Sequence, residues 1–235
     1  MSEIVSVAYW TELFTPPQAR SARACRELFS RLANECDYSD YRTLQPSGAV
    51  MASSTGADDD DEESTFTVTP ERLQVKEQRA AGVSIDEFQD RVEHAVKGSS
   101  DALEIPFFIH QRACLQALLH QNRHKQAMQY VAEDVAHLDA GRLIGHMGEL
   151  GMVGIRCYVQ PGGESETVAV PSYDVQIESS VQDPAYLWIS VTGNFPGPLP
   201  GVEPGGVVCN VRAVYEFVET RVVPYIVGNA PPEDQ

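Results

Sequence analysis

The chain has 235 residues, 43% hydrophobic and 22% charged, with a formal net charge of −17 at pH 7. This is the composition of a globular protein with a real core. No apolar run approaches the ~18 residues that a spanning helix needs, residues 1–4 lack the basic flank and apolar stretch of a secretory signal, and the acidity argues against gripping phosphate backbones or anionic lipid.

Residues 4–10 have strand chemistry, with Ile4, Val5, Val7, Tyr9 and Trp10 supplying β-branched and aromatic side chains. Thr15-Pro16-Pro17-Gln18 then reads as a helix start, with Thr15 as N-cap and Gln18 closing a capping box. Ala19, Ala22, Cys25, Leu28, Phe29, Leu32 and Cys36 follow at helical spacing, which leaves Arg20, Arg23, Arg26, Glu27 and Arg31 for the remaining surface.

Residues 37–64 read as loop around a short strand at 49–53. Within it, Asp58-Asp59-Asp60-Asp61-Glu62-Glu63 marks a solvated, disordered acidic segment over 54–64, without the spacing and glycine of a calcium loop. Two strands at 65–69 and 73–78 flank a tight turn at Thr69-Pro70-Glu71-Arg72. Phe66, Val68, Leu73 and Val75 are expected inward, and Thr65, Thr67, Gln74 and Lys76 outward. Ser84 and Glu87 form a capping box, with Val83 and Phe88 as the hydrophobic staple. Ile85, Phe88, Val92, Ala95 and Val96 make the apolar stripe of that helix, and Gly98 supplies its stop.

Residues 105–119 form the longest strand, with Pro106 at its start, where a strand tolerates proline. One parity, Phe107, Ile109, Ala113, Leu115, Ala117 and Leu119, is apolar except for Gln111; the other, with His110, Arg112 and Gln116, is half polar. That alternation predicts a sheet with one dry face and one partly wet face. A helix over 126–138 and a shorter one over 143–147 precede strands at 152–160, 173–180 and 186–194. A Pro/Gly-rich insert over 196–206 is expected to break regular structure. A final helix over 210–225 turns Val211, Val214, Tyr215, Val218 and Val222 inward, is bent or ended by Pro224, and is followed by a disordered tail over 229–235.

The element order is strand, helix, three strands, helix, stated twice, which divides the chain into halves at 1–104 and 105–228. Pro70-x-x-Leu73-x-Val75 and Pro184-x-x-Leu187-x-Ile189 recur at the corresponding turn, and Glu87-Phe88 and Glu216-Phe217 on the corresponding helices. The expected fold is α+β: a single curved antiparallel sheet with helices on one face. This order resembles the saddle-shaped duplicated architecture of TATA-box-binding protein and its structural relatives, a likeness of layout without any of that family's sequence motifs, and fold does not carry function.

No catalytic, cofactor-binding or metal-binding constellation is expected. His120 and His124 have helical ligand spacing but no HExxH glutamate, and His137 and His146 stand alone. His110 and Cys114 share a strand face but, at ~3.4 Å per residue, lie ~13 Å apart, too far for proton transfer. Gly162-Gly163 and Gly205-Gly206 lack a phosphate-loop context, and no GxSxG elbow occurs. Cys25, Cys36, Cys114, Cys157 and Cys209 form no CxxC pair and read as buried free thiols in a cytoplasmic protein.

What remains is the helix-free sheet face, where Lys76, His110, Arg112, Gln116, Arg156, Tyr158, Glu178 and Trp188 are expected, together with Thr67, Gln74, Gln176 and Ser190. An Arg112–Arg156 pair would suit a carboxylate or phosphate, with Tyr158 and Trp188 adding stacking area. Phe108, Leu118 and Trp10 on the same face would favour a protein partner or self-association. The expected function is therefore an interaction protein that binds a protein partner or a second copy of itself through a sheet face or edge. The alternative is a protein or enzyme binding a small anionic ligand; neither a membrane nor nucleic acid is expected as partner.

Overall fold

The computed structural model describes residues 4–53, 64–78, 83–120, 126–148, 151–160 and 170–228. In chain order these form β1 (Ile4–Phe14), α1 (Ala22–Glu35), β2 (Asp40–Thr43), β3 (Ala49–Ser53), β4 (Ser64–Val68), β5 (Arg72–Glu77), α2 (Ile85–Leu103) and β6 (Phe107–His120). There follow α3 (Ala127–Tyr130) with a wide turn over Val131–Val135, α4 (Ala140–Met147), β7 (Gly154–Val159), β8 (Ser172–Ser179), β9 (Tyr186–Pro200) and α5 (Gly205–Phe217), then a second wide turn over Val218–Val222 and α6 (Val223–Val227). The strands make one open antiparallel sheet in the order β2-β3-β4-β5-β1-β6-β9-β8-β7, so the fold is α+β as expected. Among the described residues no helix is long and apolar enough to cross a membrane.

Strand alternation sends Tyr9, Leu13, Phe66, Leu73, Val75, Leu115, Val175, Ile189 and Val191 to one face, where they share a single core with Leu28 and Leu32 of α1, Phe88 and Val92 of α2, and Val211 and Val214 of α5. Each such side chain contributes roughly 1.5–3 kcal/mol on leaving water. Gln111 is a polar residue on this face, as Thr11 and Glu77 are, and is fully buried. Its Oε1 accepts from Asn210 Nδ2 at 2.8 Å, and its Nε2 donates to Thr11 Oγ1 and to the Val207 carbonyl, each at 3.0 Å. One amide thus ties the start of α5 to the β1–β6 seam, with both of its polar atoms satisfied.

The central strand departs from a simple alternation. A bulge lies between Phe108 and His110, where β9 advances three residues, from Leu199 to Pro196, against two on β6. The extra residue belongs to β9, and beside it β6 changes parity: Phe108 is fully buried, whereas Phe107 and Ile109 are 37% and 49% exposed. Phe108 is therefore a core residue and not part of the open face. Nor does the Pro/Gly-rich insert break the structure, because β9 pairs with β6 as far as Pro200 opposite Phe107. β8 leaves β9 after the Ser172–Asn194 pair, so Pro196, Pro198 and Pro200 sit where β9 has become an edge, the place a sheet accepts proline.

Other expectations are corrected by local chemistry. α1 is capped by Ser21, whose Oγ accepts from Ala24 N at 3.0 Å, and not by Thr15. Residues 15–20 run along the β4–β5 turn instead: Thr15 N donates to Glu71 O and Gln18 N to Pro70 O. Arg20 is buried there, donating to the Thr69 carbonyl, to Thr15 Oγ1 and to Gln18 Oε1. The capping box of α2 forms as expected, but the helix runs through Gly98 to Leu103. A Cβ at Gly98 would come within 3.1 Å of Leu28, which makes this glycine the contact point of α2 against α1. β2 lies in what reads as loop, a four-residue edge strand with little apolar signal. α5 starts at Gly205, Tyr215 is only half-buried, and the wide turn over Val218–Val222 carries the helix past Pro224. Cys25, Cys36 and Cys114 are buried, but Cys157 and Cys209 are exposed. The acidic run, His124, Gly162-Gly163 and the tail at 229–235 lie outside the described residues.

Candidate interaction surface

The opposite face carries no helix from the core, and the register lays its side chains out in rows across the strands. One row crosses Thr67, Gln74, Glu12, Arg112, Asn194 and Ser172. The next crosses Thr65, Lys76, Trp10, Cys114, Thr192, Asp174 and Tyr158. A third holds Ala8, Gln116, Ser190, Gln176 and Arg156, and a fourth Leu118, Trp188, Glu178 and Gly154. His110 lies at the margin between Phe14 and Pro196. Trp10 and Leu118 are half-buried members of this face.

Its arginines close on carboxylates. Glu12 accepts from Arg72 Nη1 at 2.5 Å, from Gln74 Nε2 at 3.1 Å and from Arg112 Nη1 at 3.4 Å, and only 7% of its side chain is exposed. The Arg112 guanidinium carbon also lies 5.5 Å from the centroid of the Trp10 ring, within cation–π range. On β7, Arg156 grips Asp174 with both arms, Nε to Oδ1 at 2.9 Å and Nη2 to Oδ2 at 2.5 Å. Arg156 holds the Asp174 carboxyl below its usual range, and Arg112 adds to the effect from further away.

Arg112 and Arg156 therefore share a face without forming a clamp. β9 and β8 lie between their strands, which at ~4.8 Å per strand separates the backbones by roughly 14 Å. Each guanidinium already holds its own carboxylate.

The remaining residues are placed by the same register. Tyr158 donates to Ser172 Oγ at 2.6 Å and the residue is 65% exposed. Glu178 accepts from Gln176, and Trp188 sits between Leu118 and Glu178. The His110 ring is 5.6 Å from Phe14; burial, followed by the Arg112 charge, lowers its pKa. Burial raises the pKa of Cys114, whose Sγ lies 3.7 Å from Ser190 Oγ, which disfavours the thiolate. Arg112 stands between Cys114 and His110 along this strand face.

Two of the organising groups, Glu12 and Asp174, are not among the residues expected from sequence. Asp174 shares the parity of Gln176 and Glu178 and was legible by alternation. Glu12 was hidden because the strand chemistry of β1 fades after Trp10, whereas β1 runs on to Phe14. Among the described residues no three His, Cys, Asp or Glu side chains converge as a metal site would require. Compared with protein-family models, curated proteins and solved structures, the chain matches none.

Proposed function

We propose that this protein is an interaction module that binds polypeptide through its sheet, in the first place a second copy of itself. The observation that carries this reading is the pairing of Arg72, Arg112 and Arg156 with carboxylates on the helix-free face. Glu12 is held by Arg72, Gln74 and Arg112, and Asp174 by Arg156. Around these pairs the face can leave water without orphaning Arg72, Arg112 or Arg156, and it presents Trp10, Trp188 and the Tyr158 ring to a partner. Lys76 and Glu178 on the same face would need opposite charges from that partner. A small anion at Arg112 or Arg156 would instead have to displace Glu12 or Asp174. Symmetry of strand order supports a duplicated origin: β5, β4 and β3 lie outside β1 as β9, β8 and β7 lie outside β6. The free thiols support a reducing, cytoplasmic setting.

Size-exclusion chromatography with light scattering, run across a hundredfold range of concentration, tests the proposal. A mass that rises from one chain to two supports it; a single chain at the highest concentration overturns self-association.

A further inference from the structure

The sheet ends in two different ways. β2 is four residues long and carries Asp40 and Arg42, the short charged strand with which proteins blunt an edge. β7 is six residues long, contains no proline, and bears one charge, Arg156, already held by Asp174. Among the described residues no second strand lies beside it.

The backbone of β7 restricts what can be added there. Ser179 N donates to Val153 O at 2.9 Å, so Val153 and Ser179 form a hydrogen-bonded pair with β8. Such pairs alternate along an antiparallel ladder. Ile155, Cys157 and Val159 therefore spend their backbone groups on β8, while those of Gly154, Arg156, Tyr158 and Gln160 point outward. A second copy related by a two-fold axis must bring outward groups against outward groups. Centring on Arg156 would oppose two arginines directly, which is unfavourable. Centring on Tyr158 or Ile155 shortens the overlap of the six-residue strands. Centring on Cys157 avoids both faults: Arg156 meets Tyr158 of the other copy, Gly154 meets Gln160, and Ile155 meets Val159. The guanidinium then lies beside an exposed aromatic ring and apolar side chains face each other.

We propose that two copies of this chain join edge to edge through β7, antiparallel and in the register that places Cys157 opposite Cys157, to form one continuous sheet. This deepens the self-association reading above and rests on it. In that register the two Cys157 residues form a non-hydrogen-bonded pair, with Cα atoms ~4.5 Å apart, inside the disulfide range.

The test uses the full chain carrying Cys209→Ser, which removes the other exposed thiol, treated with diamide as oxidant and run on non-reducing gels. A disulfide-linked dimer is expected, and it disappears when Cys157→Ser is added. Cys157→Lys, at a position exposed in the single chain, puts like charges directly opposite and should weaken the dimer at least tenfold by light scattering. A dimer that neither cross-links through Cys157 nor weakens with Cys157→Lys places the contact elsewhere and overturns the edge register alone. A chain that stays single at every concentration overturns both readings.

Discussion

Glu12 lies directly opposite Arg112 across the β1–β6 seam, and its carboxylate is nearly closed off from solvent by the groups that bond to it. Arg72 and Arg112 are each about two-fifths exposed, so water can reach them if the carboxylate is lost. Glu12→Gln should therefore destabilise the protein by about 1–2 kcal/mol, less than the breaking of a fully buried pair. It should also give the face an anion site: sulfate, which stabilises folded proteins in general, should raise the melting temperature of Glu12→Gln by more than that of the wild type. Thermal melts in sulfate and in chloride at matched ionic strength check both effects.

Gln111 serves three partners with one amide. Gln111→Leu keeps the volume but leaves the Asn210 amide without its acceptor and removes a second bond from the Val207 carbonyl, for an expected cost of about 1–3 kcal/mol. Urea unfolding of the variant measures it.

His110 titrates below the ordinary value of about 6.5, because burial and then Arg112 disfavour its charged form. The folded state thus binds fewer protons than the unfolded chain just below pH 6.5. The contribution of His110 to stability is complete above that value and declines as pH falls through it toward the folded pKa. A proton NMR titration should give a midpoint below 6.5, and Arg112→Gln should move it upward.

Asp174 has the opposite chemistry but the same slope. Its folded pKa is depressed, first by Arg156. The stability it contributes is present above the unfolded aspartate value of about 3.9 and is lost as pH falls below that through the folded pKa. Denaturation curves of Arg156→Ala between pH 2 and 5 should show a shallower dependence on pH than those of the wild type.

Two glycines should respond in opposite directions to the same substitution. A Cβ at Gly193 would lie 2.6 Å from the Phe195 ring and 2.7 Å from Val214, because α5 crosses β9 at that point. Gly193→Ala should cost about 1–3 kcal/mol through overpacking. Gly206, in the first turn of α5, is exposed and would place its Cβ 3.7 Å from Leu199. Gly206→Ala should stabilise by about 0.5–1 kcal/mol through helix propensity. Paired calorimetric melts separate the two.

Short-range chemistry made much of the fold legible. The capping box of Ser84 and Glu87, the stripe through Phe88 and Val92, and the alternation through Leu73 and Val75 depend on residues at most a few positions apart, and each appears in the structure. The same alternation marked Gln111 as the polar exception on the dry side of β6. The errors came where a distant partner overrode local preference. Thr15 and Gln18 have the letters of a helix start, but the carbonyls of the β4–β5 turn compete for that segment and win. Pro196 to Pro200 read as a strand breaker until β8 withdraws and leaves β9 an edge.

For the surface, alternation determined which residues within each of β5 to β9 share a side, because the period of a strand is two and needs no partner; Phe108, beside the bulge, is the exception. Which of them meet was decided only by register. It sets Glu12 against Arg112 and Asp174 beside Arg156, two strands apart, and it turns the backbone of Arg156 and Tyr158 outward at the edge. Register arises from pairing between segments as far apart as Ile4 and Leu119, and no periodicity within one segment encodes it.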